Sequence, residues 1–198
     1  MDTAAVLGKL SPSITKMIRM DHSHVMATAH RFAVDAPADR KKAVVTAVCR
    51  ALEVHAQLEE EIFYPALREV CGDDEVLRKA QPEHDEAKRL IAELRATDAA
   101  DARCGDTFMR LMRQVMHHVA DEEAVLLPAA EKLLADRLGV LGAQMTRRRL
   151  QLVAPHAGEM ATATARAMPA GTMLVAGGLL TGAYLISRGL AQRRHTPH

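Results

Sequence analysis

Two stretches of this chain follow one template, His-x3-Glu-Glu-x4-Pro. The first is His55, Glu59, Glu60 and Pro65 in HAQLEEEIFYP; the second is His118, Glu122, Glu123 and Pro128 in HVADEEAVLLP, 63 residues later. An acidic residue followed by histidine also occurs twice, as Asp21-His22 and Glu83-His84, with the two histidines 62 residues apart. Each half of the chain therefore carries one segment with a single histidine and then one with His-x3-Glu. On an α-helix, residues four apart stand one turn above each other, so each His-Glu pair presents an imidazole and a carboxylate on the same face. One such pair is an ordinary surface contact. Two in register, each with a matched upstream histidine, place four histidines and two glutamates around a pseudo-twofold axis if the halves pack antiparallel.

The rest of the chain supports a helical reading. Aromatics are only 3% of the 198 residues, whereas Ala, Leu, Glu, Arg and Met are abundant, so helices are favoured over strands. Ser11-Pro12 opens a first helix running to about Ala33, with Ile14, Met17, Ile18, Val25 and Met26 on its apolar stripe. Asp39 caps a second helix that ends at Cys71-Gly72, and Asp73-Asp74 opens a third whose early turns Pro82 interrupts. After a turn-rich break at 101–106, Phe108 to Leu134 forms a fourth, followed by a short amphipathic segment at 140–153. The expected fold is all-α, an antiparallel up-down-up-down four-helix bundle with a C-terminal apolar helical tail. Residues 1–153 are the bundle domain with its short following helix, 154–168 a linker, 169–187 an apolar segment and 188–198 a basic tail.

Residues 167–187 contain no charge, a length sufficient to cross a hydrocarbon layer about 30 Å thick. Gly178-x3-Gly182 in this run is a spacing that permits close helix contact. Two readings of 169–187 follow: a membrane anchor, or a glycine-rich helix through which copies self-associate as a homo-oligomer. The N-terminal stretch lacks the pattern of a secretory signal, and Cys49, Cys71 and Cys104 form no CxxC motif. These features lead us to expect a cytoplasmic bundle, anchored to the inner face of a membrane if 169–187 spans it. With 26 basic and 25 acidic residues mixed along the chain, no field points to nucleic acid as a partner.

Imidazole and carboxylate together suit borderline metals, and iron, manganese and zinc all remain open on this donor set. Buried carboxylates are costly without a cation, which gives the pattern a physical reason. In their order and spacing, Asp21-His22, His55 to Glu60, Glu83-His84 and His118 to Glu123 resemble the hemerythrin-like, or HHE cation-binding, family over about Ile14 to Met145. The resemblance implies two non-haem iron ions with carboxylate bridges, and ranks manganese and zinc behind iron. His22 and His55 would serve one iron, His84 and His118 the other, and Glu59 and Glu122 would bridge, with Glu60 and Glu123 as outer acceptors. Oxygen-carrying hemerythrins resemble His-x3-His in the third helix; here Lys88 stands four residues after His84. That departure moves the expectation from oxygen carriage toward binding of, or reaction with, oxygen, nitric oxide or peroxide in redox sensing or buffering. Iron storage or delivery and a peroxide-decomposing di-iron enzyme are the alternatives.

Other residues receive plainer readings. His24, His30 and His117 are expected at the surface or beside the site. Tyr64 is read as core, with an approach of its hydroxyl to the site as the alternative. Met17, Met26, Met109, Met112 and Met116 are read as core fillers.

Overall fold

A computed structural model describes residues 11–72 and 74–156, and the apolar segment at 169–187 and the basic tail lie outside them. Among the described residues all regular structure is helical. Helix α1 spans Ile14–Ala29, α2 Ala38–Leu58, α3 Tyr64–Cys71, α4 Glu75–Ala96, α5 Ala102–Asp121, α6 Leu127–Leu133 and α7 Leu138–Val153. Two π-helical turns, Glu59–Phe63 and Glu122–Leu126, join α2 to α3 and α5 to α6 without a loop. Among the described residues no helix is long and apolar enough to cross a membrane.

The ends of these helices follow from local chemistry. Ser13, not Ser11, caps α1, its side chain accepting from the Lys16 N–H. Pro37 holds the N-cap position of α2, so Asp39 lies in the first turn, where its charge favours the helix dipole. Gly72, with φ of 66°, ends α3 in a backbone region that glycine enters without penalty. Asp74 caps α4 by accepting from the Val76 and Leu77 N–H groups. Asp101 caps α5 six residues earlier than the expected start at Phe108, shortening the break before it.

One expectation about proline needs correction. Pro82 does not interrupt α4; it is exposed there, where water can solvate the carbonyl one turn back. Pro65 and Pro128 instead follow the π turns. The Tyr64 N–H bonds the Glu59 carbonyl and the Leu127 N–H the Glu122 carbonyl, each five residues back. Widening the turn by one residue relieves the clash that a proline ring makes with the preceding turn of an α-helix.

Helix α1 packs on α2, α4 on α5, α2 on α4 and α3 on α6, while α7 lies along α1 and α2. The apolar interior is divided into two clusters. One gathers Ile14, Ile18, Leu58, Phe63, Leu67, Leu77, Leu126 and Leu127; the other gathers Val25, Val48, Leu52, Leu90, Ile91, Phe108, Leu111 and Val115. On each long helix the boundary falls at a histidine: Ile18 precedes and Val25 follows His22, and Leu77 precedes and Leu90 follows His84. The methionines divide as well: Met17 and Met112 are buried, but Met109 and Met116 are 47% and 53% exposed, correcting their assignment to the core. Their spacing matches a helix, but their face of α5 is turned to solvent.

Candidate metal centre

Between the two apolar clusters lies a polar layer. His22, His55, His84 and His118 are at most 8% exposed, and Glu59 and Glu122 are fully buried. α1 supplies His22, α2 His55, α4 His84 and α5 His118, while each glutamate is the first residue of a π turn. Metal-capable atoms of His22, His55, Glu59 and Glu122 all lie within 4.8 Å of one another, and so do those of Glu59, His84 and His118. The six residues marked by the sequence repeat are therefore brought together.

Glu59 belongs to both groups through different oxygens. Its Oε1 is 3.3 Å from His55 Nε2, and its Oε2 is 3.4 Å from His84 Nε2. Glu122 Oε2 lies 3.2 Å from His22 Nε2 and 3.9 Å from His118 Nε2. These are ion-pair distances without hydrogen-bond alignment: His22 Nε2, Glu59 Oε1 and both oxygens of Glu122 are buried and have no hydrogen-bond partner. Such atoms are expensive to bury unless something else satisfies them. Imidazole nitrogens and carboxylate oxygens that converge without satisfying one another fit a cation, and their chemistry suits a borderline metal.

The opposite nitrogen of each imidazole faces a second carboxylate. His22 Nδ1 is 2.8 Å from Glu123, His84 Nδ1 is 2.9 Å from Glu60, and His118 Nδ1 is 2.9 Å from Glu83. His55 Nδ1 faces Asp21 at 3.7 Å. Carboxylates in this position fix the ring tautomer and raise the basicity of the nitrogen that faces the metal. Glu83 of the Glu-His pair thus orients His118 of a neighbouring helix, and Asp21 of the Asp-His pair faces His55 without bonding it. Glu60 and Glu123 were marked for this role in the sequence; Asp21 and Glu83 were quoted only as motif letters, although their repetition beside His22 and His84 was the available signal.

The metal-free electrostatics show the strain of this layer. Burial, and then the charge of Glu122, pushes the Glu59 carboxyl well above the usual carboxylate range. Burial acts on Glu122 in the same direction, but its contact with His22 and the charges of His118 and His55 together outweigh it and hold that carboxyl low. Burial alone would lower His22; Glu122 and Glu123 overcome it and raise the imidazole to about 9. Burial prevails at His55, lowering it to about 4, and at His84, also lowered.

Tyr64 is both buried and in contact with the layer: its hydroxyl donates to Glu59 Oε2 at 3.1 Å and stands 3.4 Å from His84 Nε2. Lys88 turns outward and donates to Glu60 at 2.7 Å. Beside the four histidines is a cavity of about 30 Å³ with Val25, Leu52, Ala87, Ile91, Val115 and Val119 in its walls. On that measure one water needs roughly 10–15 Å³, so the cavity takes a diatomic or triatomic molecule. His24 and His30 are exposed, and His117 forms a loose surface group with Glu83 and Asp121.

An all-helical protein with a buried histidine and carboxylate layer fit for a cation is the class these observations define. The chain belongs to the hemerythrin HHE cation-binding domain family, whose pattern matches residues 13–130. A solved structure, a hemerythrin HHE cation-binding domain-containing protein from Mycobacterium kansasii, superimposes with a TM-score of 0.63 at 18% identity, covering 79% of this chain and 99% of that one. A DNA nickase from Nostoc is 28% identical over 127 residues, which are 64% of this chain and 36% of the nickase. The chain thus spans about a third of that relative.

Proposed function

We propose that this chain is a non-haem di-iron protein that binds or reacts with oxygen, nitric oxide or peroxide and so senses or buffers redox conditions. Its helices form an antiparallel up-down-up-down four-helix bundle in this reading. His22 and His55 hold one iron, His84 and His118 the other, and Glu59 and Glu122 bridge them. The observation that carries it is the sharing of Glu59: one oxygen faces each pair of histidines, the arrangement a bridging carboxylate needs. When bound, the metal pair supplies redox change and a site for a small ligand. The residues of the chain orient the donors, exclude bulk water and offer the Tyr64 hydroxyl, which donates to Glu59. The small apolar-walled cavity supports a ligand of two or three atoms.

An enzyme that decomposes peroxide is a second reading on the same residues, and iron storage or delivery a third. The nickase name of the Nostoc relative is not carried over, because most of that protein has no counterpart in the matched region and the charges here are balanced. For residues 169–187 we keep the proposal of a membrane anchor on a cytoplasmic domain; recovery of the full chain in buffer without detergent would reject it.

Purified full-length protein, reconstituted anaerobically with ferrous iron, should hold close to two irons per chain and change its visible spectrum once per added oxidant. Continued peroxide loss without loss of iron would favour the enzyme, and transfer of iron to an apo-acceptor would favour delivery. Zinc alone, or no retained metal, would reject the di-iron reading.

A further inference from the structure

Three of the four imidazoles hold their outer carboxylate at 2.8–2.9 Å. The fourth, His55, stands 3.7 Å from Asp21 Oδ2, and its Nδ1 has no hydrogen-bond partner although it is buried. The reason lies on the other side of Asp21. Arg149 of α7 grips that carboxylate with two bonds, Nη1 to Oδ1 at 2.6 Å and Nη2 to Oδ2 at 2.5 Å. The oxygen that faces His55 Nδ1 is the one that accepts from Nη2 of Arg149. A paired guanidinium fork outcompetes a neutral imidazole N–H for a carboxylate, because both of its bonds are charge-assisted and geometrically matched.

Helix α7 is fastened to the same half of the centre at other points. Arg148 donates to Glu61, in the first π turn, through Nε at 2.6 Å and Nη2 at 2.9 Å. Gly142 brings α7 so close to the start of α1 that a Cβ there would sit 2.1 Å from the Pro12 carbonyl oxygen. Among the described residues the second half has no such clamp: the counterpart of Glu61 is Ala124, and the counterpart of Asp21 is Glu83, which bonds His118 directly.

We propose that Arg149 is a positioning residue that withdraws Asp21 from His55 and thereby weakens the hold of the His22 and His55 pair on its metal. The inference rests on the metal reading above. A carboxylate bonded to the outer nitrogen of a ligating histidine raises metal affinity, and its loss typically costs about 10–100-fold. Withdrawing it part-way makes one of the two metal positions the labile one, under the control of where α7 lies.

The test uses the full chain loaded with zinc, a diamagnetic ion that fixes the proton on the outer nitrogen when bound through Nε2. In Arg149→Gln the His55 Nδ1–H resonance should move downfield as its bond to Asp21 shortens. Release of one zinc to a chelator should slow by up to about tenfold while the other is unchanged. Arg149→Lys should fall between, since a point charge cannot occupy both oxygens, and Asp21→Asn should accelerate release and cancel the effect of Arg149→Gln. Arg148→Gln, which loosens α7 without touching Asp21, serves as the control. An unmoved resonance, faster release in Arg149→Gln, or equal changes in Arg148→Gln would overturn the proposal and leave the metal reading standing. Failure of the native chain to bind either zinc or ferrous iron would overturn both.

Discussion

The half of the centre built on His22 and His55 and the half built on His84 and His118 match residue for residue, yet their surroundings differ. Behind the first glutamate stands Tyr64, whose hydroxyl reaches Glu59; the same place in the second half is Leu127. Asp21 is shared with Arg149, whereas Glu83 gives a short bond to His118. Four residues after His22 comes Met26, and four after His84 comes Lys88, which ties down Glu60. The comparison teaches that duplication provides a symmetric set of donors, while single neighbours contributed from elsewhere make the two positions chemically unequal.

The sharpest way to break this comparison is to replace each shared carboxylate by its neutral isostere. Glu59→Gln and Glu122→Gln should both abolish tight metal binding, removing about 4 kcal/mol of ligand-linked stability when free metal is about 1,000-fold above Kd. Without metal they should part. Burial and the charge of Glu122 push Glu59 toward its neutral form, so Glu59→Gln should melt within a few degrees of the native chain. Glu122 balances the charge of His22, so Glu122→Gln should cost about 1.5–3 kcal/mol. Thermal melts with and without metal check both statements, and equal melting of the two metal-free variants would show that the halves are not electrostatically distinct.

A smaller effect follows from the imidazoles of the metal-free protein. His22 is raised to about 9, so its contribution is complete below its unfolded value near 6.5 and is lost as pH climbs toward 9. His55 and His84 are lowered, so theirs is complete above 6.5 and is lost as pH falls, for His55 toward 4. The alkaline limb amounts to about 3 kcal/mol, and the acid limb, to which His55 and His84 both contribute, to more. His22→Gln should remove the alkaline limb and also reshape the acid limb, because His22 holds Glu122 low, whereas His84→Gln should remove part of the acid limb and leave the alkaline limb intact, measured by denaturant titration across pH 4–10.

The smallest expected effect is that of Tyr64→Phe, which removes one buried bond to Glu59 and should cost about 1 kcal/mol. It should also shift the spectrum of the metal-loaded protein, a change that Leu127→Phe, in the matching place, should not reproduce. Identical spectra would confine Tyr64 to packing.

How much of this could be read in advance depends on the range of the signal. The donor set was legible because His-x3-Glu is a contact within one helix turn and its repetition in register is improbable by accident. The long helices were legible from their apolar stripes, with errors at ends decided by one cap, as at Ser13 and Asp101. Asp21 and Arg149 meet across 128 residues, and no local pattern announces such a pair. The exposed Met109 and Met116 misled because helical spacing states a period and not which face is inward. Pro65 and Pro128 signalled that the helices must yield somewhere, but the form of the yielding depends on packing against α3 and α6.

The π turns change what length means in this chain. An extra residue rotates everything after it by about 100° around the helix axis. Buried Leu67 and Ala130 face inward because Glu59–Phe63 and Glu122–Leu126, wound more loosely than an α-helix, each absorb that residue. Deleting one residue here would restore a regular α-helix and leave Leu67 or Ala130 facing inward, whereas winding the same residues as an α-helix without a deletion would turn both about 100° away. In these two short segments residue number and winding are therefore coupled: either can change only if the other changes with it.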